Sequence, residues 1–172
     1  MNDYIAPALS RQNLRDLTLK IRKSFHMENK ARFPVLEMLE AMPDIFPGFT
    51  CEIVADHELP RSVQGDVDII NHHMRIKESV YDGAYAGNGR DRYSITHEIG
   101  HYILLSVAGL RLQRNISQRP LRPFEDPEWQ AECFAGELLM PHHLIKDLNV
   151  FEIVEQCQVS LPAAKTQIKK LA

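Results

Sequence analysis

Ser94-Ile95-Thr96-His97-Glu98-Ile99-Gly100-His101-Tyr102-Ile103-Leu104-Leu105 places two histidines four residues apart, with a glutamate directly after the first. On a helix, residues at that spacing differ by about 40° around the axis and about 6 Å along it, so both imidazoles can reach one metal ion from the same face. Glu98 points to a neighbouring direction. It is badly placed to join the same ligand set but can reach a water beside the metal, which is the placement of a general base. The stretch is helical in character, with Ile99, Ile103 and Leu104 available to bury behind the polar face. The chain has 8 His and 13 Glu, and composition alone produces H-E-x-x-H about 0.03 times in a chain of this length, so chance is a poor account of it.

A catalytic zinc takes three protein ligands and leaves one position open. The third must come from elsewhere in the chain. Asp126-Pro127 opens a second helix, Asp as the cap and Pro at the first helical position, running to about Met140 and stopping at Pro141. It carries Glu128, Glu132 and Glu137. The first two share a face, whereas Glu137 points roughly opposite to Glu128. Cys133 reads as a small buried hydrophobe and is the weaker candidate.

The rest of the chain supplies a frame for these two helices. Leu14, Leu17, Ile21 and Phe25 mark one face of a helix over 10–25, and a shorter helix covers 34–41. Residues 50–55 read as a strand. Residues 62–70 and 74–77 read as a hairpin around Asn71-His72-His73, followed by a Gly-rich loop over 82–89. The active helix is expected from about Asp91 to Val107. The polar stretch 109–123, with Arg111, Arg114, Arg119 and Arg122, reads as a solvated connection, a flap over the cleft being the alternative. The tail, 144–171, reads as short helices. Its segment from Ile153 to Leu171 has a helix–turn–helix look, but the few lysines there favour a helical pair that caps the core. The fold expected is α+β: a small mixed or antiparallel sheet over 50–77 against the active helix, with helices before and after. Residues 1–143 would form the metal-binding domain and 144–172 a helical segment of the same domain.

Two segments, His97-Glu98-Ile99-Gly100-His101 and Glu128-Trp129-Gln130-Ala131-Glu132-Cys133-Phe134-Ala135-Gly136-Glu137-Leu138-Leu139-Met140-Pro141, resemble the ImmA/IrrE family of metallopeptidases. The resemblance implies a zincin-like, thermolysin-type core with Zn²⁺ held by His97, His101 and Glu128, and Glu98 as the catalytic base. The family commonly has Asn where this chain has Glu132, which would then steady a ligand histidine from behind. It implies protein substrates that are transcriptional repressors, typically of the helix–turn–helix kind, and a chain of this length looks like the stand-alone form. The rival readings are a zinc-containing module that binds a repressor without cutting it, and a regulator that binds DNA through its C-terminal helices.

Composition bounds the remaining choices. The net charge of −3 and pI near 6.2 lack the basic excess of a nucleic-acid-binding domain, so direct DNA binding is not expected. The three cysteines form no C-x-x-C unit, no apolar run is long enough to span a bilayer, and no signal peptide is visible, so a reduced, cytoplasmic setting is expected. The oligomeric state is not legible. Other polar residues have competing readings. His72 and His73 sit at a turn without further ligands nearby; His142 and His143 are read as cap or surface residues, with an oxyanion-binding role as the alternative. Tyr93 and Tyr102 flank the motif as packing residues or oxyanion donors.

Overall fold

The computed structural model describes residues 4–107, 113–114 and 120–171. In chain order the elements are β1 (Tyr4–Ile5), α1 (Arg11–Ser24), α2 (Val35–Ile45), β2 (Thr50–Val54), β3 (Gly65–Asp68), β4 (His73–Lys77), α3 (Glu78–Tyr85), α4 (Gly89–Tyr102), β5 (Gln113–Arg114), α5 (Pro127–Leu139), α6 (His142–Ile145), α7 (Val150–Cys157) and α8 (Leu161–Leu171). The fold is α+β, mostly helical with one small mixed sheet, as expected. That sheet has the order β2-β4-β3. β2 runs parallel to β4, with Thr50 opposite His73 and Val54 opposite Lys77. β3 and β4 form the expected antiparallel hairpin, from Gly65 opposite Ile76 to Asp68 opposite His73. None of the described helices is long and apolar enough to cross a membrane.

The helix α4 lies at the centre and packs on α5, α3, β3 and α2. Asn88 caps it, its side chain accepting from the Arg90 and Asp91 amides, and a π-helical turn over Ile103–Val107 carries it to its expected end. Ile99, Ile103 and Leu104 are buried behind the histidines, and Ile95 and Tyr102 extend the same core. Where α4 crosses α5, Gly100 allows close approach: a Cβ there would lie 2.9 Å from Phe134 Cδ1. As expected, Asp126 caps α5, its carboxylate accepting from the Glu128 amide at 2.9 Å. The tail packs on this same core through Ile153, Cys157, Val159 and Ala164, with Gln158 in the left-handed conformation between α7 and α8.

Two expectations need correction. The segment read as a Gly-rich loop over 82–89 is helical through Tyr85, because Val80 and Ala84, four apart, face the core. A Cβ on Gly83 would overlap the Asp91 carboxylate, so a larger residue there would have to displace that side chain. α2 continues past Ala41 to Ile45 despite Pro43, since burial of Met42 rewards the extra turn and Phe46 N–H still reaches the Met42 carbonyl. Beyond these, β1 pairs antiparallel with β5, a contact between distant segments for which the sequence carried no expectation. Most of the 109–123 stretch, and with it the choice between solvated connection and flap, lies outside the described residues.

Candidate metal centre

The α4 backbone brings His97 and His101 onto one face, and the first turn of α5 lays Glu128 across them. The two Nε2 atoms are 3.0 Å apart. Glu128 Oε2 lies 3.3 Å from His97 Nε2, and Oε1 lies 3.4 Å from His101 Nε2. Among the described residues these three form the group able to hold a metal ion. A tetrahedral zinc with nitrogen and oxygen ligands at 2.0–2.2 Å would set its ligand atoms about 3.3 Å apart. The observed triangle has edges of that size, so the donor set fits zinc in number, chemistry and spacing. The imidazoles are largely enclosed, at 19% and 14% side-chain exposure, whereas Glu128 is 59% exposed, so the triangle opens toward solvent on the carboxylate side.

Electrostatics at the site follow from this enclosure. Burial raises the Glu98 carboxyl above its usual pKa; the nearby imidazoles pull the other way and lose. Burial opposes charge on His97, but the hydrogen bond to Glu128 and the Glu98 charge outweigh it, and its pKa is raised. Glu128, accepting from His101 and His97, is held well below the normal carboxylate range. Gly65 matters here: a Cβ on it would lie 3.2 Å from Glu98 Cγ and 2.9 Å from the Arg75 carbonyl, so the start of β3 must be bare for Glu98 to pack beside it. Sequence spacing gave no hint of this partner, although a glycine opening a strand is itself a sign of close approach.

Beside the triangle lies a hollow of about 370 Å³, walled by residues 62–65, by Tyr93, Ser94, His97 and Glu98 along α4, and by Glu132 of α5. Glu132, expected to steady a ligand histidine from behind, has its carboxylate 3.9 Å from Lys170 Nζ. Its backbone carbonyl accepts from Tyr93 Oη at 2.9 Å. Glu137 does point away from the site. Fully buried, it takes Arg11 at 2.8 Å and Arg15 at 3.0 Å. Cys133 is buried in the core. Tyr102 is also buried, its hydroxyl 3.0 Å from His72 Nδ1 and its ring edge-on to Phe46 and Phe49, which makes it a packing residue. His73 meets Thr50 and Glu52, and His143 Nε2 donates to the Glu28 carbonyl along a separate groove beside α1. Neither histidine pair joins the triangle.

No curated protein matches the chain. Among solved structures, a Mycobacterium tuberculosis transcriptional regulator shares the fold with a TM-score of 0.57 at 15% identity, over 91% of this chain and 46% of that one. This chain therefore spans about half the length of that protein. Residues 67–155, just over half of the chain, match the IrrE N-terminal-like domain, a metallopeptidase family, and they take in β4, α4 and α5 with all three donors. The chain belongs to the IrrE N-terminal-like domain family of M78 peptidases.

Proposed function

We propose that the chain is a zinc-dependent endopeptidase that cuts a specific protein, a helix–turn–helix transcriptional repressor being the substrate class that fits best. The observation that carries this reading is the convergence of His97, His101 and Glu128 with Glu98 directly beside them. A zinc ion held by the three donors would supply Lewis acidity, bringing the pKa of a water in the cleft toward about 7 and polarising the scissile carbonyl. Glu98 takes the proton from the attacking water and delivers it to the leaving amine. A buried carboxylate with a raised pKa suits that double task, since it must hold the proton between the two transfers. The helix crossing of α4 and α5 keeps base and donors in register. A repressor as substrate, and hence work in the cytoplasm, draws on the family resemblance; the M. tuberculosis protein of the same fold is itself a transcriptional regulator.

The deciding variant is Glu98→Gln. It is expected to bind zinc as the wild type does and to lose hydrolysis by at least about 100-fold, the usual worth of a general base. Loss of zinc together with activity would mean that Glu98 is a ligand and the assignment is wrong. An intact base also separates this reading from a module that only sequesters a repressor: sequestration would survive the substitution. Unfolded casein should be cut poorly, and rapid casein digestion would point to a degradative enzyme instead.

A further inference from the structure

The hollow beside the triangle has one charged wall that the proposed chemistry leaves unused. His97 and Glu98 are committed to metal and proton. The remaining lining, Ser62, Val63, Gln64, Gly65, Tyr93 and Ser94, is neutral, and the Tyr93 and Ser94 hydroxyls, which donate to the Glu132 and Arg90 carbonyls, keep their oxygens as acceptors. Glu132 alone brings a charge outside the proposed metal and proton chemistry, and its side chain is 55% exposed.

Its counterion is loose. Lys170 Nζ, on the last turn of α8, stands 3.9 Å away, well beyond the 2.7–2.9 Å of a charge-assisted hydrogen bond. The lysine shows which sign of charge this carboxylate accepts, and the gap shows that the carboxylate is not saturated. Each kind of substrate side chain entering the hollow would fare differently. A large apolar group would strip water from Glu132 and return nothing. An acidic group would meet both Glu132 and Glu98. A lysine or arginine would find a partner at the wall and hydroxyl acceptors along the way.

Resting on the peptidase reading of the site, we propose that this hollow is a specificity subsite for a basic side chain next to the scissile bond, selected by Glu132 and contested by Lys170. Amino-acid hydroxamates test it without any need for cleavage, because the hydroxamate group binds the metal and the side chain samples the hollow. The zinc-loaded full chain is titrated calorimetrically with acetohydroxamate, which has no side chain, and with the hydroxamates of arginine, norleucine and glutamate. Arginine hydroxamate should bind about 10-fold more tightly than norleucine hydroxamate, the worth of one hydrogen bond to a charged group. That ratio should shrink with added salt, fall to near one in Glu132→Gln, and grow in Lys170→Ala. Equal affinities for arginine and norleucine compounds, with acetohydroxamate still bound, would overturn the subsite and leave the metal site standing. A preference that survives Glu132→Gln would overturn the role of Glu132. If not even acetohydroxamate binds, the reading of the metal centre fails and the subsite with it.

Discussion

The spacing between α4 and α5 should govern metal affinity, and Gly100→Ala is the perturbation that changes it most cleanly. Gly100 lies between the two histidine positions on the helix, and the added Cβ would sit 2.9 Å from Phe134 Cδ1, 3.3 Å from Phe134 Cγ and 3.5 Å from Ala131 Cα. Carbon atoms at rest keep about 3.5–4.0 Å, so the helices must part by roughly half an ångström to one ångström, or the Phe134 ring must leave its rotamer. Overpacking of this kind costs about 1–3 kcal/mol. Replacing glycine by alanine inside a helix returns about 1 kcal/mol. The net loss of stability is therefore small, about 0–2 kcal/mol, or a fall in Tm of up to roughly 8 °C for a chain of this size. The metal site has no such compensation. Ligand distances tolerate only about 0.2 Å, so moving Glu128 away from both imidazoles should weaken zinc about 10–100-fold. Competition against a chromogenic chelator reads the affinity, and thermal melting of the metal-free protein reads stability. Gly136→Ala is the control, because the three nearest atoms to its Cβ all belong to the far end of the Gln167 side chain, Oε1 at 2.7 Å first, and none to α4. If Gly100→Ala binds zinc as tightly as the wild type, the helix crossing does not set the donor triangle.

Glu128→Ala should lose most bound zinc, measured as metal per chain by atomic spectroscopy, whereas Glu132→Ala should retain it; the reverse pattern would exchange the two residues. Glu137→Ala removes a fully buried carboxylate, but Arg11 and Arg15 are part-exposed and can turn to solvent, so the cost should be about 1–3 kcal/mol, to be read from urea unfolding. Burial pushes the thiols of Cys133 and Cys157 from the ordinary value of 9.0 up to about 11. Iodoacetamide at pH 8 should therefore modify them about 100-fold more slowly in the folded protein than in the urea-unfolded chain, since only the thiolate reacts.

The site was largely legible in the sequence because its core is local. His97, Glu98 and His101 need only the helical period to come together, and Asp126-Pro127 fixes where α5 begins and so where Glu128 stands. The hairpin of β3 and β4 was legible for the same reason. What escaped depends on partners far apart in the chain. Arg22 lies on α1, in a place where the helical pattern predicts a solvated charge, yet it is fully buried. Its guanidinium donates to the carbonyls of Met27, Lys30, Ala31 and Leu138 and lies over the Phe33 ring. No periodicity encodes a cage of backbone carbonyls from two segments. For Glu132 the period sets the face of α5, but its neighbour Lys170, 3.9 Å from the carboxylate, comes from the last turn of α8.

These non-local contacts are what make the local motif usable. A metal or catalytic constellation must be held to about 0.5 Å, and a helix free to slide or roll cannot hold Glu128 to that tolerance. α5 is fixed at three points along its length. Near its start, Gln130 Nε2 donates to the carbonyls of Pro7 and Phe124, both at 2.8 Å, and the Ala6 and Leu9 amides bind the carbonyls of Glu125 and Phe124, which ties the approach to the helix to the N-terminal segment. At its middle, Phe134 closes on Gly100. At its end, Glu137 is gripped by Arg11 and Arg15, and the Leu138 carbonyl by Arg22. α1 supplies all three arginines, so that helix, which contributes nothing to the donor triangle, sets the position of the helix that does. The buried charges are costly to place, and an apolar pair of equal volume could stabilise the fold as well or better. What an apolar pair lacks is direction: a bidentate grip on one carboxylate and one carbonyl fixes both the rotation and the height of α5, and those two coordinates decide whether the Glu128 oxygens meet the imidazoles at 3.3 and 3.4 Å or miss them.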